Sequence, residues 1–544
     1  MEKVSQNVCK AYGFILRLCF FCAVVGLLLL SLVCICYMET SEYVYLCADA
    51  STSQTLLLVG SFLAAVGIGL AAKKGRFQWK SLPALRFALL ALAGILGVVW
   101  VLNTRYIPRA DQLSILQFAE HLRKKEYSAF GAGTYMARYP HQSGMVLFLC
   151  GLSYLWGDGN YVAFQLLNVG AYLVILWTLG ELSRRLGRGT VVPTLLGILF
   201  LPLLFYTSFL YGTLLGLAMA LLAAVETVDY CHKGTAIHGI LAGVFLFLAL
   251  VFKSNYQIFA LGLGIYATVY LLTKKAWKRW PVLAVLLLAF VLGTKLPIAC
   301  MEQITGQDFS QGSTTLAWVV MGLHDDGNQA PGRYDGYVWS TLDDAELDAQ
   351  RQKERVRQDL KERLDYLVKN PKYTAQMLVK KTASQWCDPL FEGHWILQQM
   401  KSDYDIPEQL RAVSAPVGSW HMSRLLNYLH IWILFGAALL IFSGKEELSP
   451  EMLLLMTVFV GGFVFHTFWE AKGQYTLPYF VLLIPLAVQG YWSVLTAAKT
   501  GGKTLVRRYG ALFALVLAVN LAVKIHPIQG LWTDLIRFYR YLGI

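Results

Sequence analysis

Apolar residues run through this 544-residue chain in blocks. Block after block reaches the ~20 residues that a helix needs to cross a bilayer. A spanning segment must satisfy its own backbone polar groups, which restricts such blocks to helices or closed barrels, and their length selects helices. The first block, 13–37, is charged only at Arg17 near its start. It is too long for a signal peptide and lacks a small-residue cleavage site, so it reads as an anchor. By length and apolarity the chain carries about 13 spans, at roughly 13–37, 55–73, 84–103, 160–180, 190–207, 209–229, 236–252, 255–273, 280–299, 424–443, 451–469, 475–496 and 508–525. Only 15% of the residues are charged and the mean hydropathy is +0.50, where soluble domains carry about 25% charge. The expected fold class is an α-helical polytopic membrane protein.

The net charge of +13 does not point to nucleic acid. The basic residues cluster in short turns between spans, where they set orientation. Lys73-Lys74-Gly75-Arg76, Arg184-Arg185-Leu186-Gly187-Arg188, Lys274-Lys275-Ala276-Trp277-Lys278-Arg279 and the stretch 499–508 all fall on one face if the N-terminus is cytoplasmic. The loop 39–51 has acids but no Lys or Arg and falls on the other. Ser143–Trp156 is apolar but short for a span at about 14 residues. Counting it as one would reverse every later loop, so it is expected to lie in the membrane interface. The first outer loop then covers 103–160.

The segment 301–423 is the one long polar stretch and holds just over half of the acidic residues. In 343–369, Val356, Leu360, Leu364 and Leu367 fall on one helical stripe. Asn370-Pro371 ends that helix and begins the next, with Asn370 as N-cap and Pro371 at the first position. The glycine-rich stretch 327–337 reads as a loop. The expected division is therefore 1–80, a two-span extension; 81–300, a membrane core with the outer loop 103–160; 301–423, a mainly helical extracytoplasmic domain; and 424–544, the last spans and a tail.

Charges at span ends are the candidates for chemistry. Asp111 follows the third span by a few residues; it reads either as an N-cap for a helix over 112–125 or as a general base. Arg109 and Arg138 carry guanidinium forks that suit phosphate, or meet lipid head groups as interfacial arginines. Tyr139, His141 and Gln142 present polar side chains just before an apolar helix, with Tyr139 held extended by Pro140. Lys253-Ser254-Asn255 joins two spans on the outer face, where an ionisable group is a functional candidate or a snorkelling lysine. Glu470-Ala471-Lys472-Gly473-Gln474-Tyr475 forms a late outer loop, readable as a solvated turn or a donor site. Asp403-Tyr404-Asp405 has the form of a nucleotide-sugar motif but no Rossmann-like pattern precedes it, so it reads as solvated loop. Cys19 and Cys22 have CxxC spacing inside an apolar helix, where packed thiols are expected rather than a metal site. Cys47, Cys300 and Cys387 fall outside the membrane, and their spacing fixes no disulfide.

The outer Asp loop, the Tyr139-Pro140 run, the interfacial helix and the Glu470-Ala471-Lys472-Gly473-Gln474-Tyr475-Thr476-Leu477-Pro478 loop occur in an order that resembles the GT-C superfamily of polytopic glycosyltransferases. The resemblance covers about 84–496 and is to the bacterial protein-mannosyltransferase-like and aminoarabinose-transferase-like branch. It implies a polyprenyl-phosphate sugar as donor, a glycan, lipid or protein as acceptor, and inversion at the anomeric carbon. Asp111 matches the family's active-site Asp, and Glu470, Lys472 and Tyr475 match its late loop. Many members have Asp-Glu where this chain has Asp111-Gln112, and the first two spans have no clear counterpart. The resemblance also implies a bacterial plasma membrane with the site on the extracytoplasmic side. Membrane lipids are the surrounding partners, the sequence requires no cofactor, and it leaves a divalent metal open. The competing class is a secondary transporter or lipid flippase; no duplicated half and no matching pair of broken spans is visible in the sequence.

Overall fold

The computed structural model describes residues 2–38, 43–48, 52–73, 82–327, 329–393, 407–442, 448–525 and 537. Lys74, Gly75, Arg76 and the Asp403-Tyr404-Asp405 triplet lie outside the described residues, as does most of 39–51. About 81% of the structure is helical. The sheet among the described residues is one antiparallel hairpin, Ile35–Met38 paired with Val44–Cys47. Its Cys36 N–H donates to the Cys387 carbonyl at 2.8 Å, which ties the end of the first helix to the polar segment.

Nine helices among the described residues are long and apolar enough to cross a membrane, and two bent pairs raise the number to 11 if each is one span. The chain is thus an α-helical, multi-pass membrane protein. Each expected span overlaps a helix, though the first, 13–37, runs on past Val33 into the strand Ile35–Met38 and the one at 209–229 becomes helical only at Thr213. The segments expected at 190–207 and 475–496 are the bent pairs, Val191–Leu199 with Pro202–Ser208 at 66° and Gly473–Phe480 with Leu483–Thr500 at 43°. Those expected at 55–73 and 236–252 fall on shorter apolar stretches, Gln54–Ile68 and Ala236–Phe252. The two bends meet. Phe200, at the first break, stacks on Phe480, at the end of Gly473–Phe480, with ring centres 5.6 Å apart. Phe391 from the polar segment packs against both rings, at 5.5 and 5.2 Å.

Ion pairs mark one end of the bundle. Arg86 at the start of one helix binds Glu181 near the end of Tyr161–Arg185, at 2.8 Å. Arg185 binds Asp229, which also holds Lys233 at the end of Thr213–Lys233. Glu451, one residue into Pro450–Phe468, lies 2.6 Å from His232. The basic turns at 184–188 and 232–233 therefore gather at the same end. The helix Tyr161–Arg185 runs about 37 Å at 1.5 Å per residue, and its other end sits where Gln165 donates to the Tyr106 and Ser208 carbonyls. That second end carries the loop after 103 and Lys253.

Helices approach closely where glycine removes the Cβ. A Cβ at Gly490 would lie 1.9 Å from the Gly436 carbonyl oxygen, so Pro416–Phe442 and Leu483–Thr500 touch backbone to backbone. Small residues at helix contacts are the usual means of packing in lipid, where hydrophobicity supplies no drive between helices.

The polar segment folds as Thr315–Gly322, Tyr337–Asp344, Ala349–Lys369 and Pro371–Trp386. Ala349–Lys369 begins later than the sequence suggests because Asp348 caps it, accepting from the Gln350 and Arg351 N–H groups at 2.8 and 3.0 Å. Val356 and Leu367 are buried, but Leu364 is 43% exposed. At 100° per residue Leu364 drifts off the stripe and Arg363 takes its place, donating to the Leu323 carbonyl at 2.7 Å. Pro371 opens the next helix as expected, whereas the Asn370 side chain makes no cap bond and donates back to the Tyr366 carbonyl.

Candidate functional site

A cavity of about 350 Å³ opens at the second end of the bundle, where five parts of the chain meet, one of them the hairpin, through Met38. The loop after 103 supplies Arg109, Asp111, Tyr139, His141 and Gln142, and the late loop supplies Glu470, Lys472 and Tyr475. The bend at 206–211 contributes Tyr211, and the polar segment adds Trp318, Tyr334, Trp339 and Glu392. Two loops more than 300 residues apart in sequence thus share one cavity.

Backbone geometry delivers Asp111 to it. The helix Asp111–Arg123 has Ala110 at its N-cap position with φ 48, and no side chain caps it. Asp111 is therefore not the cap that its residue type suggests, and its carboxylate opens onto the cavity. A left-handed φ on alanine is strained and requires support from its surroundings. Part of that support is Gln112, fully enclosed, whose Oε1 accepts from the Leu210 N–H at 2.8 Å and fixes this loop to the bend. Gln112 is thus committed to holding backbone.

Asp111 is itself solvent-accessible within the cavity, but the protein crowded around it costs its carboxylate hydration and pushes the carboxyl above the ordinary aspartate range. Lys472 and Lys253 favour its charged form, Glu470 opposes it, and Tyr135 donates a hydrogen bond to it. Tyr135 is in turn hydrogen-bonded to Tyr211, whose hydroxyl accepts from Gln142 Nε2. A line of hydroxyls therefore runs from the carboxylate into the wall. Desolvation by the protein around the cavity, helped by Lys253, lowers His141 to about 4, so its imidazole is neutral at ordinary pH.

Opposite stands the late loop. Lys472 Nζ lies 2.9 Å from Glu470 Oε1 and 5.7 Å from the centre of the Tyr334 ring. The Tyr475 hydroxyl donates to Glu470 Oε2 at 3.4 Å. Lys253 sits behind this wall: its Nζ donates to Thr213 Oγ1 at 2.9 Å and lies over the Tyr211 and Tyr475 rings at 4.8 and 5.3 Å. It reaches the cavity through its field and through those two rings. The aromatic side is continuous, with Trp318 stacked on Trp469 at 5.9 Å and 5°, and Tyr139 and His141 both against Trp318.

Two expected residues are elsewhere. Arg138 ends the single turn Tyr135–Arg138, which aims it away from the cavity; it binds Asp343 at 2.5 Å and the Gly133 carbonyl at 2.8 Å, and lies 4.2 Å from the centre of the Trp339 ring. It therefore holds a cavity-lining indole from behind. Asn255 offers its backbone carbonyl to Tyr479 at 3.4 Å and does not line the cavity.

Sequence reasoning missed a buried acidic turn in the polar segment. Asp388 accepts from the Leu390 and Glu392 N–H groups at 2.9 and 2.6 Å, while Phe391 and Glu392 both have positive φ. Burial, with Glu392 beside it, pushes the Asp388 carboxyl up to about 7. Glu392 pairs with the fully buried Arg333 at 3.1 Å and accepts the Gly473 N–H at 3.0 Å, which joins this turn to the late loop. Lys381 was missed as well. It is 1% exposed and donates to the Gly322 and Trp469 carbonyls, and burial lowers it to about 7. Among the described residues no group of three or more His, Cys, Asp and Glu side chains is placed to hold a metal ion.

A carboxylate, flanking cations and a wall of ring faces suit a polar, ring-shaped ligand that bears a phosphate. No family model matches the chain, and no curated protein matches it.

Proposed function

We propose that the chain is an inverting, GT-C-like glycosyltransferase of about 13 spans that takes its sugar from a polyprenyl phosphate. In this reading it sits in a bacterial plasma membrane with its N-terminus cytoplasmic and the Asp111 cavity extracytoplasmic. The reading rests on one observation above others: Asp111 and the Glu470–Lys472 pair share one aromatic-walled cavity. Asp111 takes the proton of an acceptor hydroxyl, and the oxygen attacks the anomeric carbon as the bond to the phosphate oxygen breaks. The leaving polyprenyl phosphate keeps the electron pair. Lys472 and Arg109 neutralise the charge that develops there, and Lys253 adds to their field. Ring faces at Trp318 and Trp339 take the apolar face of the sugar.

The test is transfer of a labelled sugar from polyprenyl phosphate by detergent-solubilised protein. Asp111→Asn should fold normally and lower transfer by about 10²–10⁴-fold, the usual share of general-base catalysis. Wild-type transfer by folded Asp111→Asn would remove the proposed base.

A second reading, a transporter or flippase, is favoured by the two bent spans, since broken helices often line transport sites. Sugar transfer in detergent, where no gradient exists, separates the two.

A further inference from the structure

Four of the ten cysteines, Cys34, Cys36, Cys47 and Cys387, gather where the first helix meets the polar segment. They sit at the Asp111 end of the bundle, because Met38 of the same hairpin lines that cavity. The hairpin sorts them, since successive side chains of a strand point to opposite faces. Cys47, opposite Ile35, packs with Tyr37 and Trp420, whereas Leu46 on the other face packs with Cys34 and Cys387. Cys34 follows the helix Glu2–Val33 directly, and its N–H donates to the Leu30 carbonyl at 2.8 Å. Cys387 follows the helix Pro371–Trp386 in the same way. The Cys34 and Cys387 thiols are hydrogen-bonded to each other. Ser31, three residues before Cys34, donates to Cys387 Sγ at 3.7 Å, so that sulfur sits against one face of the helix end. The backbones touch as well, through the bond from the Cys36 N–H to the Cys387 carbonyl. Cys34 is 3% exposed and Cys387 is fully buried.

We propose that Cys34 and Cys387 form a disulfide that fastens the first helix to the polar segment beside the Asp111 cavity. The proposal rests on the orientation in the reading above, which puts this end in an extracytoplasmic, oxidising compartment where disulfides form and persist. The oxidant is itself a disulfide, carried by a small molecule or a dithiol oxidase. One cysteine thiolate attacks a sulfur of that disulfide, forms a mixed disulfide and releases one thiolate. The second cysteine thiolate then attacks the protein sulfur of the mixed disulfide and expels the other. The two protein thiols lose two electrons and two protons, and the oxidant leaves as two thiols. The exchange takes place during folding, because the packed sulfurs are closed to any oxidant. The sulfurs need only close from a hydrogen bond to about 2.05 Å. A link between residues so far apart in sequence restricts the unfolded chain, which favours the folded one. It also gives the first helix a task. Arg333 donates to Met38 Sδ at 3.6 Å and pairs with Glu392 in the cavity wall, so the hairpin that the link secures supports that wall.

The experiment maps thiols in the full-length protein made in cells with an oxidising envelope, quenched in acid, denatured and alkylated with N-ethylmaleimide. Peptide mass spectrometry should find Cys34 joined to Cys387, with neither alkylated until dithiothreitol is added. Cys34→Ser should open Cys387 to alkylation, and Cys387→Ser should open Cys34. Cys36→Ser and Cys47→Ser should keep the link. If the serine variants fail to fold, the wild-type map decides alone. Alkylation of both Cys34 and Cys387 in the unreduced wild type overturns the proposal, as does a link from Cys387 to Cys36 or Cys47. Lys124→Cys, in a chain without its native cysteines, tells two failures apart, since Lys124 is exposed just beyond the helix that Asp111 opens. Its labelling by an impermeant maleimide from outside leaves the orientation standing and strikes the disulfide alone. Its labelling only from the cytoplasm strikes the orientation with it.

Discussion

At the scale of single residues, Asp111 gives a prediction with a sign. In the proposed function Asp111 is the base and must be ionised, so activity should fall as pH drops through its folded pKa. That pKa lies above the ordinary value of about 3.9 because surrounding protein partly desolvates the carboxyl. The acid limb of the rate profile should therefore sit above the usual aspartate range. Lys472 favours the carboxylate and Glu470 opposes it, so Lys472→Met should move the limb to higher pH and Glu470→Gln to lower pH. A limb that stays put in both variants would assign it to another group. Lys381 offers a test of stability. Its folded pKa of about 7 is depressed from an unfolded value of about 10.4, so the folded chain binds fewer protons between those limits. Stability should rise with pH across that window. The melting temperature of the wild type minus that of Lys381→Met should rise from pH 7 to pH 10. Asp111 and Lys472 were legible in the sequence because a charge next to a span stands out against apolar neighbours. Arg333, Lys381 and Asp388 were not, because a buried charge in a polar segment looks like any solvated one. Arg138 was misread for a third reason: it is the neighbour of a cavity residue, but one helical turn sends consecutive side chains in different directions.

At the scale of elements, the apolar blocks foretold where the long apolar helices lie, 9 to 11 of them long enough to cross a membrane among the described residues, but not the two bends. Proline explains the failure. Pro297 lies inside the unbroken helix Pro281–Thr305, whereas Pro202 starts the helix after a break. The same residue is compatible with both outcomes when neighbours satisfy the freed backbone, so only packing decides. The periodicity of Ala349–Lys369 was readable, and its error at Leu364 is the slow drift of a helical stripe. Helix contacts supply a further prediction. Gly490→Val would force backbone apart at Gly436 and should cost about 1–3 kcal/mol, the usual range for overpacking. It should lower the melting temperature in detergent. Gly170→Ala, in a helix with open space around that position, should leave it unchanged or slightly higher. Equal effects of the two substitutions would mean that the Gly436–Gly490 contact does not determine stability.

At the scale of the whole molecule, the cavity was legible only as an order of loops along the chain. That its two halves touch follows from helix packing, which no local pattern records. The sidedness argument is testable directly. Lys124 and Arg184 are exposed and are separated by Ser143–Trp156 and Tyr161–Arg185. If Ser143–Trp156 lies in the interface, cysteines at the two positions, in a chain without its native cysteines, should label from opposite sides of the membrane. Labelling of both from one side would make that helix a span. A last consequence follows from the way Lys381, Arg333 and Glu392 fasten the polar segment to the late loop. The Ala471 N–H adds a bond to the Gly332 carbonyl at 2.7 Å. A ceiling stitched down at so many points does not lift for each visitor. If the proposed function holds, a donor with a greasy tail would have to come in sideways from the bilayer, between helices.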